Sequence, residues 1–101
     1  MQVRDWYSGN DPQTIRREKQ KARALRQSQW WKNKRACNKC YYCKTETPAR
    51  KLTMDHVVPL ARGGLSKKSN LVPCCKTCNN LKKNLLPIEW EKFLKNLRKI
   101  P

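Results

Sequence analysis

The sequence predicts a small α+β domain, with a cysteine-framed unit of two short strands and a helix between two flanking helices. Three observations carry this. Two C-x2-C pairs, Cys40/Cys43 and Cys75/Cys78, bracket the strand-like runs. A glycine-free stretch rich in Ala, Leu, Gln, Lys and Arg precedes them, as a helix requires. A stretch with apolar residues at helical spacing follows. With 101 residues, no internal repeat and no linker composition, residues 1–101 are expected to form one domain.

In chain order, residues 1–12 read as irregular, with "SGNDP" as turn material. Asp11 is a helix cap and Pro12 a first-turn proline. A basic N-terminal helix is expected over about 12–34, with Ile15, Ala22, Leu25 and Trp30 as a narrow apolar stripe. The core unit spans about 36–85. "ACNKCYYC" makes a tight knuckle, and "KTETPARKLTMDHVV" runs through a loop into a strand. By the period of two, Leu52, Met54 and His56 face one side of it. "PLARGGLSKKS" is a loop whose Gly63-Gly64 permits unusual dihedrals. "NLVPCC" is a second strand limited by Pro73. "KTCNNLKKNLL" is a short helix ending near Asn84. An amphipathic C-terminal helix is expected over about 87–99, with Trp90, Phe93, Leu94 and Leu97 as core contacts.

Composition restricts the partners. The chain carries 24 Lys+Arg against 7 Asp+Glu, a formal net charge of +17. Such a chain repels itself unless a polyanion is near, and nucleic acid is the leading candidate. A membrane partner is not expected, because no apolar run approaches the roughly 18 residues of a spanning helix. The N-terminus has no signal-peptide core, so a cytoplasmic location is expected. Thiols stay reduced there, so six cysteines point to metal and not to disulfides.

Two C-x2-C pairs can close a tetrahedral Zn2+ site. Cys40, Cys43, Cys75 and Cys78 are the preferred ligands, because both pairs then keep one spacing. Cys37-x2-Cys40 is an equally good pair and Cys74 adjoins Cys75, so those alternatives stay open. A four-thiolate site has no open position for substrate and is therefore structural. It also supplies the staple that a chain with 38% hydrophobic residues and one Phe lacks.

Asp55 and His56, the only histidine, sit at the end of the predicted first strand. A glycine loop, Asn70, the second cysteine pair and Asn79 follow. The elements "CYYC", "LTMDHVVPLARGG" and "NLVPCCKTCNNLKK" resemble the HNH endonuclease family, whose active unit is a zinc-stabilised β-β-α-metal fold. The resemblance covers about Cys40 to Lys83. It departs from the family's commonest pattern at Asn79, which stands where the final histidine would be and makes a His-Asn-Asn variant.

The resemblance implies a metal-dependent DNA endonuclease. His56 would be the general base, since a neutral imidazole can take a proton from water and a highly positive chain favours the neutral form. Asp55 supplies a hard oxygen suited to Mg2+ or Mn2+, and the resemblance gives Asn79 a place on the same catalytic ion. Asn70 would orient the imidazole and hold the loop, as its counterpart does in the family. Lys82 matches a basic family position and is a candidate phosphate contact, with Arg62, Arg50, Lys67 and Lys68 behind it. A chain with no evident dimer segment is expected to act as a monomer and to nick duplex DNA. Lys and Arg contacts carry little base information, so sequence preference should be low. The alternatives are a zinc module that binds nucleic acid without cutting it, and a protein-interaction domain. The first leaves Asp55, His56 and the two asparagines as coincidences. A steep salt dependence of DNA affinity would count against the second.

Overall fold

The computed structural model describes residues 9–98. Among them run α1 (Pro12–Arg26), α2 (Gln29–Arg35), β1 (Leu52–His56), β2 (Leu71–Cys75), α3 (Lys76–Lys82) and α4 (Pro87–Arg98). The fold class is the expected α+β. Most of "SGNDP" belongs to the described residues, while residues 1–8 and the last residue of the expected 87–99 helix lie outside them.

The N-terminal helix starts as predicted. Asp11 caps it, accepting from the Thr14 amide at 2.7 Å, with Pro12 in the first turn. It does not continue to residue 34. Ser28 donates its hydroxyl to the Leu25 carbonyl at 2.6 Å and accepts from the Trp31 amide at 3.3 Å. One side chain thus satisfies the end of α1 and the start of α2, which makes a break stable. The break also turns Trp31 into the core, at 2% exposed, while the expected Trp30 is only half-buried. The inner face of α1 carries Glu18 and Ala22, both buried, flanked by half-buried Ile15 and Leu25.

β1 and β2 pair antiparallel, from Leu52 opposite Cys75 to His56 opposite Leu71. A two-stranded sheet is marginal alone, and other elements hold this one. Pro73 has no amide hydrogen, but its carbonyl accepts from the Tyr41 amide at 2.9 Å, which pins the knuckle beside β2. Burial in β1 does not follow the alternation of its faces. Leu52 and Asp55 are buried, while Met54 and His56 are half-buried. Asp55 goes inside because Tyr42 and Lys82 meet it there.

Cys75 begins α3 and caps it with its own sulfur, which accepts from the Cys78 amide at 3.4 Å. The helix stops at Lys82, earlier than expected, because Lys83 takes a left-handed φ of 49°. α4 then closes the domain. Trp90 packs with Cys40, Cys74 and Cys78, stacks on Phe93 at 5.5 Å and meets the Tyr42 ring edge-on at 5.7 Å. Leu94 joins this cluster, but Leu97 is exposed and was wrongly expected in the core. No helix among the described residues is long and apolar enough to cross a membrane.

The loop after β1 depends on close backbone approach. A Cβ on Gly64 would stand 1.7 Å from the Val58 carbonyl oxygen. Asn10 braces the same loop, donating to the carbonyls of Leu60 (3.1 Å) and Gly64 (2.7 Å). Gly64→Ala must therefore displace backbone, and a loss of about 1–3 kcal/mol is expected by urea denaturation. An unchanged midpoint would mean that the loop is looser than this packing.

Candidate active site

The cysteine knuckle and the β2–α3 junction bring four sulfurs together. The Sγ atoms of Cys40, Cys43, Cys75 and Cys78 lie within 4.8 Å of one another, with Cys43 and Cys75 at 3.9 Å. A tetrahedral ion with bonds of about 2.3 Å needs sulfurs about 3.8 Å apart, so this donor set fits zinc. Burial pushes the Cys75 and Cys78 thiols up, whereas backbone groups favour thiolate at Cys40. Burial opposes the Cys40 thiolate, but contacts with the Cys75, Cys43 and Tyr42 backbone outweigh it and bring its pKa down to about 6. The open alternatives do not join the cluster. Cys37 is exposed with its sulfur 3.3 Å from the Lys39 carbonyl, and Cys74 is buried beside the cluster with its thiol on the Cys75 carbonyl.

Beside the strand–helix unit lies a cleft of about 570 Å3. Asp55, His56 and Asn79 line it from the strand–helix unit, Lys19 and Arg26 from α1, and Lys83 from the end of α3. The expected Asp-His-Asn set is therefore gathered in one cavity, with a cationic wall. Burial pushes the His56 imidazole pKa below its ordinary value, helped by the charges of Arg26 and Lys82 and opposed by those of Asp55 and Glu18. The ring thus favours its neutral form. Its Nε2 lies 2.9 Å from the Ser66 hydroxyl.

Asp55 is held from within. Its Oδ2 accepts from the Tyr42 hydroxyl at 2.5 Å and pairs with Lys82 Nζ at 3.1 Å. Burial and this carboxylate push the Tyr42 phenol well above its ordinary pKa, so it stays a donor. Tyr42→Phe removes a bond to a buried charge, and a loss of about 1.5–3 kcal/mol is expected in thermal denaturation. A change near zero would show that water replaces the phenol.

Asn79 has a fixed orientation. The Thr53 hydroxyl donates its single hydrogen to the Cys74 carbonyl at 2.8 Å, so Asn79 must donate to Thr53 through Nδ2, also at 2.8 Å. The Asn79 amide oxygen and Asp55 Oδ1 then have no protein donor among the described residues. Two hard oxygens beside an open cleft with room for water fit Mg2+ or Mn2+.

Asn70 behaves only partly as expected. Its side chain accepts from the Val58 amide at 2.8 Å and donates to the carbonyls of Val58 (3.0 Å) and Leu65 (2.9 Å). It ties the segment after His56 to the glycine loop, but Ser66 is what touches the imidazole. Lys82 is a correction. Lys82 is fully buried, donates also to the His56 carbonyl at 3.1 Å and lies 5.6 Å over the Tyr42 ring. It cannot reach a phosphate from there. Arg62 grips Glu89 at 2.9 and 3.2 Å, joining the loop to α4. Arg50, Lys67 and Lys68 are exposed, with Lys68 5.7 Å over the Trp30 ring.

Sequence reasoning missed Tyr42, Ser66 and Glu18. Glu18 accepts from the Ser66 amide at 2.6 Å and from Lys21 at 3.0 Å, which holds its carboxyl below the usual range. An acidic residue on the apolar stripe of a basic helix was a readable signal. Nothing in "CYYC" separates Tyr42 from Tyr41.

A two-stranded sheet and helix, joined by four sulfurs placed to hold a metal and presenting Asp-His to a basic cleft, define a β-β-α scaffold of the nuclease type. The family model described as HNH endonuclease matches residues 40–95, just over half of the chain. The chain belongs to the HNH endonuclease family. No curated protein matches it. Membership supports a nuclease-type function and implies a nucleic-acid substrate.

Proposed function

We propose that the protein is a metal-dependent DNA endonuclease that nicks duplex DNA with little sequence preference. The observation that carries this reading is the half-buried, neutral-favouring His56 sharing a basic cleft with Asp55 and Asn79. His56 takes the proton of the attacking water. Asp55 and Asn79 would hold Mg2+ or Mn2+, which supplies Lewis-acid stabilisation of the phosphate and of the departing 3′ oxygen. Tyr42 and Lys82 orient Asp55 from the interior, and Asn70 fixes the backbone that follows His56. Lys19, Arg26 and Lys83 neutralise phosphates along the cleft, and exposed Arg50, Lys67 and Lys68 extend that footprint. The zinc cluster is structural. One site in a monomer cuts one strand per encounter.

A second reading, a zinc module that binds nucleic acid without cutting, draws on one observation: Asp55 Oδ2 is already engaged by Lys82 and Tyr42. Supercoiled plasmid decides between them. Conversion to open circles with Mg2+ or Mn2+ is expected. Binding without any relaxed product, whatever divalent cation is added, would leave only the second reading.

A further inference from the structure

We propose that Ser66, gripped by Glu18 of the N-terminal helix, is the positioning residue that fixes neutral His56 as its Nε2–H tautomer and leaves Nδ1 as the base. This rests on the reading of His56 as general base. A serine hydroxyl has one hydrogen to give and two lone pairs to offer. The Ser66 Oγ lies 2.6 Å from the Glu18 main-chain carbonyl, a group that can only accept. The hydroxyl hydrogen therefore sits between those two oxygens. The imidazole Nε2, 2.9 Å from the same Oγ, must then be the donor. Turning the hydroxyl toward Nε2 would leave two oxygens facing each other at hydrogen-bond distance with no hydrogen between them.

The grip on Ser66 is double. Its amide also donates to the Glu18 carboxylate at 2.6 Å, and both residues are buried, at 7% and 4% exposed. α1 thus holds Ser66 by hydroxyl and amide together, and Ser66 holds the ring. Nδ1 has no protein partner among the described residues, and the ring lines the cleft beside Asp55 and Asn79. When Nδ1 takes a proton from water, Nε2 keeps its hydrogen and its bond to Ser66. The serine neither supplies nor receives the transferred proton. It makes the ring's orientation the same before and after the transfer. Glu18 lies outside the segment matched by the family, residues 40–95, so the helix that sets the tautomer is an addition to the shared unit.

The single histidine makes the test direct. In the full chain with its zinc, labelled with 15N-histidine at mildly alkaline pH, Nε2 should show the protonated nitrogen signature and Nδ1 the unprotonated one. The reverse pattern, or an even mixture, overturns the assignment. Ser66→Ala should mix the tautomers and lower the plasmid-nicking kcat about 10–100-fold with KM near wild type. Ser66→Thr, which keeps the hydroxyl, should restore both. An alanine variant with wild-type spectrum and kcat removes Ser66 from the role. Should that variant fail to fold, the wild-type and threonine spectra still decide. A wild-type protein with the Nε2–H signature that nicks no DNA overturns the base role and the nuclease reading together, while the tautomer stands.

Discussion

Serine in place of Cys78 is expected to unfold the domain. Cys78 contributes one of four sulfurs within 4.8 Å of one another and also packs against Trp90 of α4. The sheet has only two strands, and the largest side chains around the sulfurs come from the knuckle and α4. Structural zinc contributes on the order of 10 kcal/mol in small metal-tied domains. That is comparable to the whole stability of an ordinary domain, about 5–15 kcal/mol. Loss of one ligand therefore exceeds what the remaining contacts can supply. Circular dichroism should show lost helix, elemental analysis should show lost zinc, and a strong chelator should reproduce both in the wild type. Cys37→Ser, whose thiol is exposed and outside the cluster, should melt like the wild type. A Cys78→Ser protein with a wild-type cooperative melt would mean that the sulfur cluster is not the staple.

His56→Ala should lower plasmid nicking by about 10²–10⁴-fold, the usual loss when a general base is removed. DNA affinity should change little, because Lys19, Arg26 and Lys83 supply the cationic wall without the ring. The sign of the wild-type pH dependence follows from burial, which lowers the ring's pKa from 6.5. A base works when unprotonated, so activity should persist through neutral pH and decline only as the pH falls below that value. An alanine variant that nicks at the wild-type rate would remove His56 from the chemistry.

The reach of the sequence ended where tertiary partners began. Cys40, Cys43, Cys75 and Cys78 were legible because a spacing of two residues is itself a geometric statement about one ion. Asp55, His56 and Asn79 were legible as a motif, and the fold brings them to one cleft. The break at Ser28 was hidden because helix propensity is additive along the chain, whereas one hydroxyl can satisfy two helix ends. Lys82 was misread for a related reason. In a chain this basic, most lysines and arginines are solvated. Only the fold reveals that Lys82 meets Asp55 in the interior and that Arg62 meets Glu89. Ser66 was invisible because "GGLSKKS" has loop composition, and its partner Glu18 lies 48 positions earlier.

The bracing of the glycine loop by Asn10, and of Ser66 by Glu18, bears on how such units travel between proteins. Both braces precede the segment that the family shares. Grafting residues 40–95 alone onto another carrier would transplant the ligands and the histidine but orphan the carbonyl of Gly64 and the amide of Ser66. A recipient scaffold must bring its own substitute for those two braces, so the portable catalyst is longer than its recognisable signature.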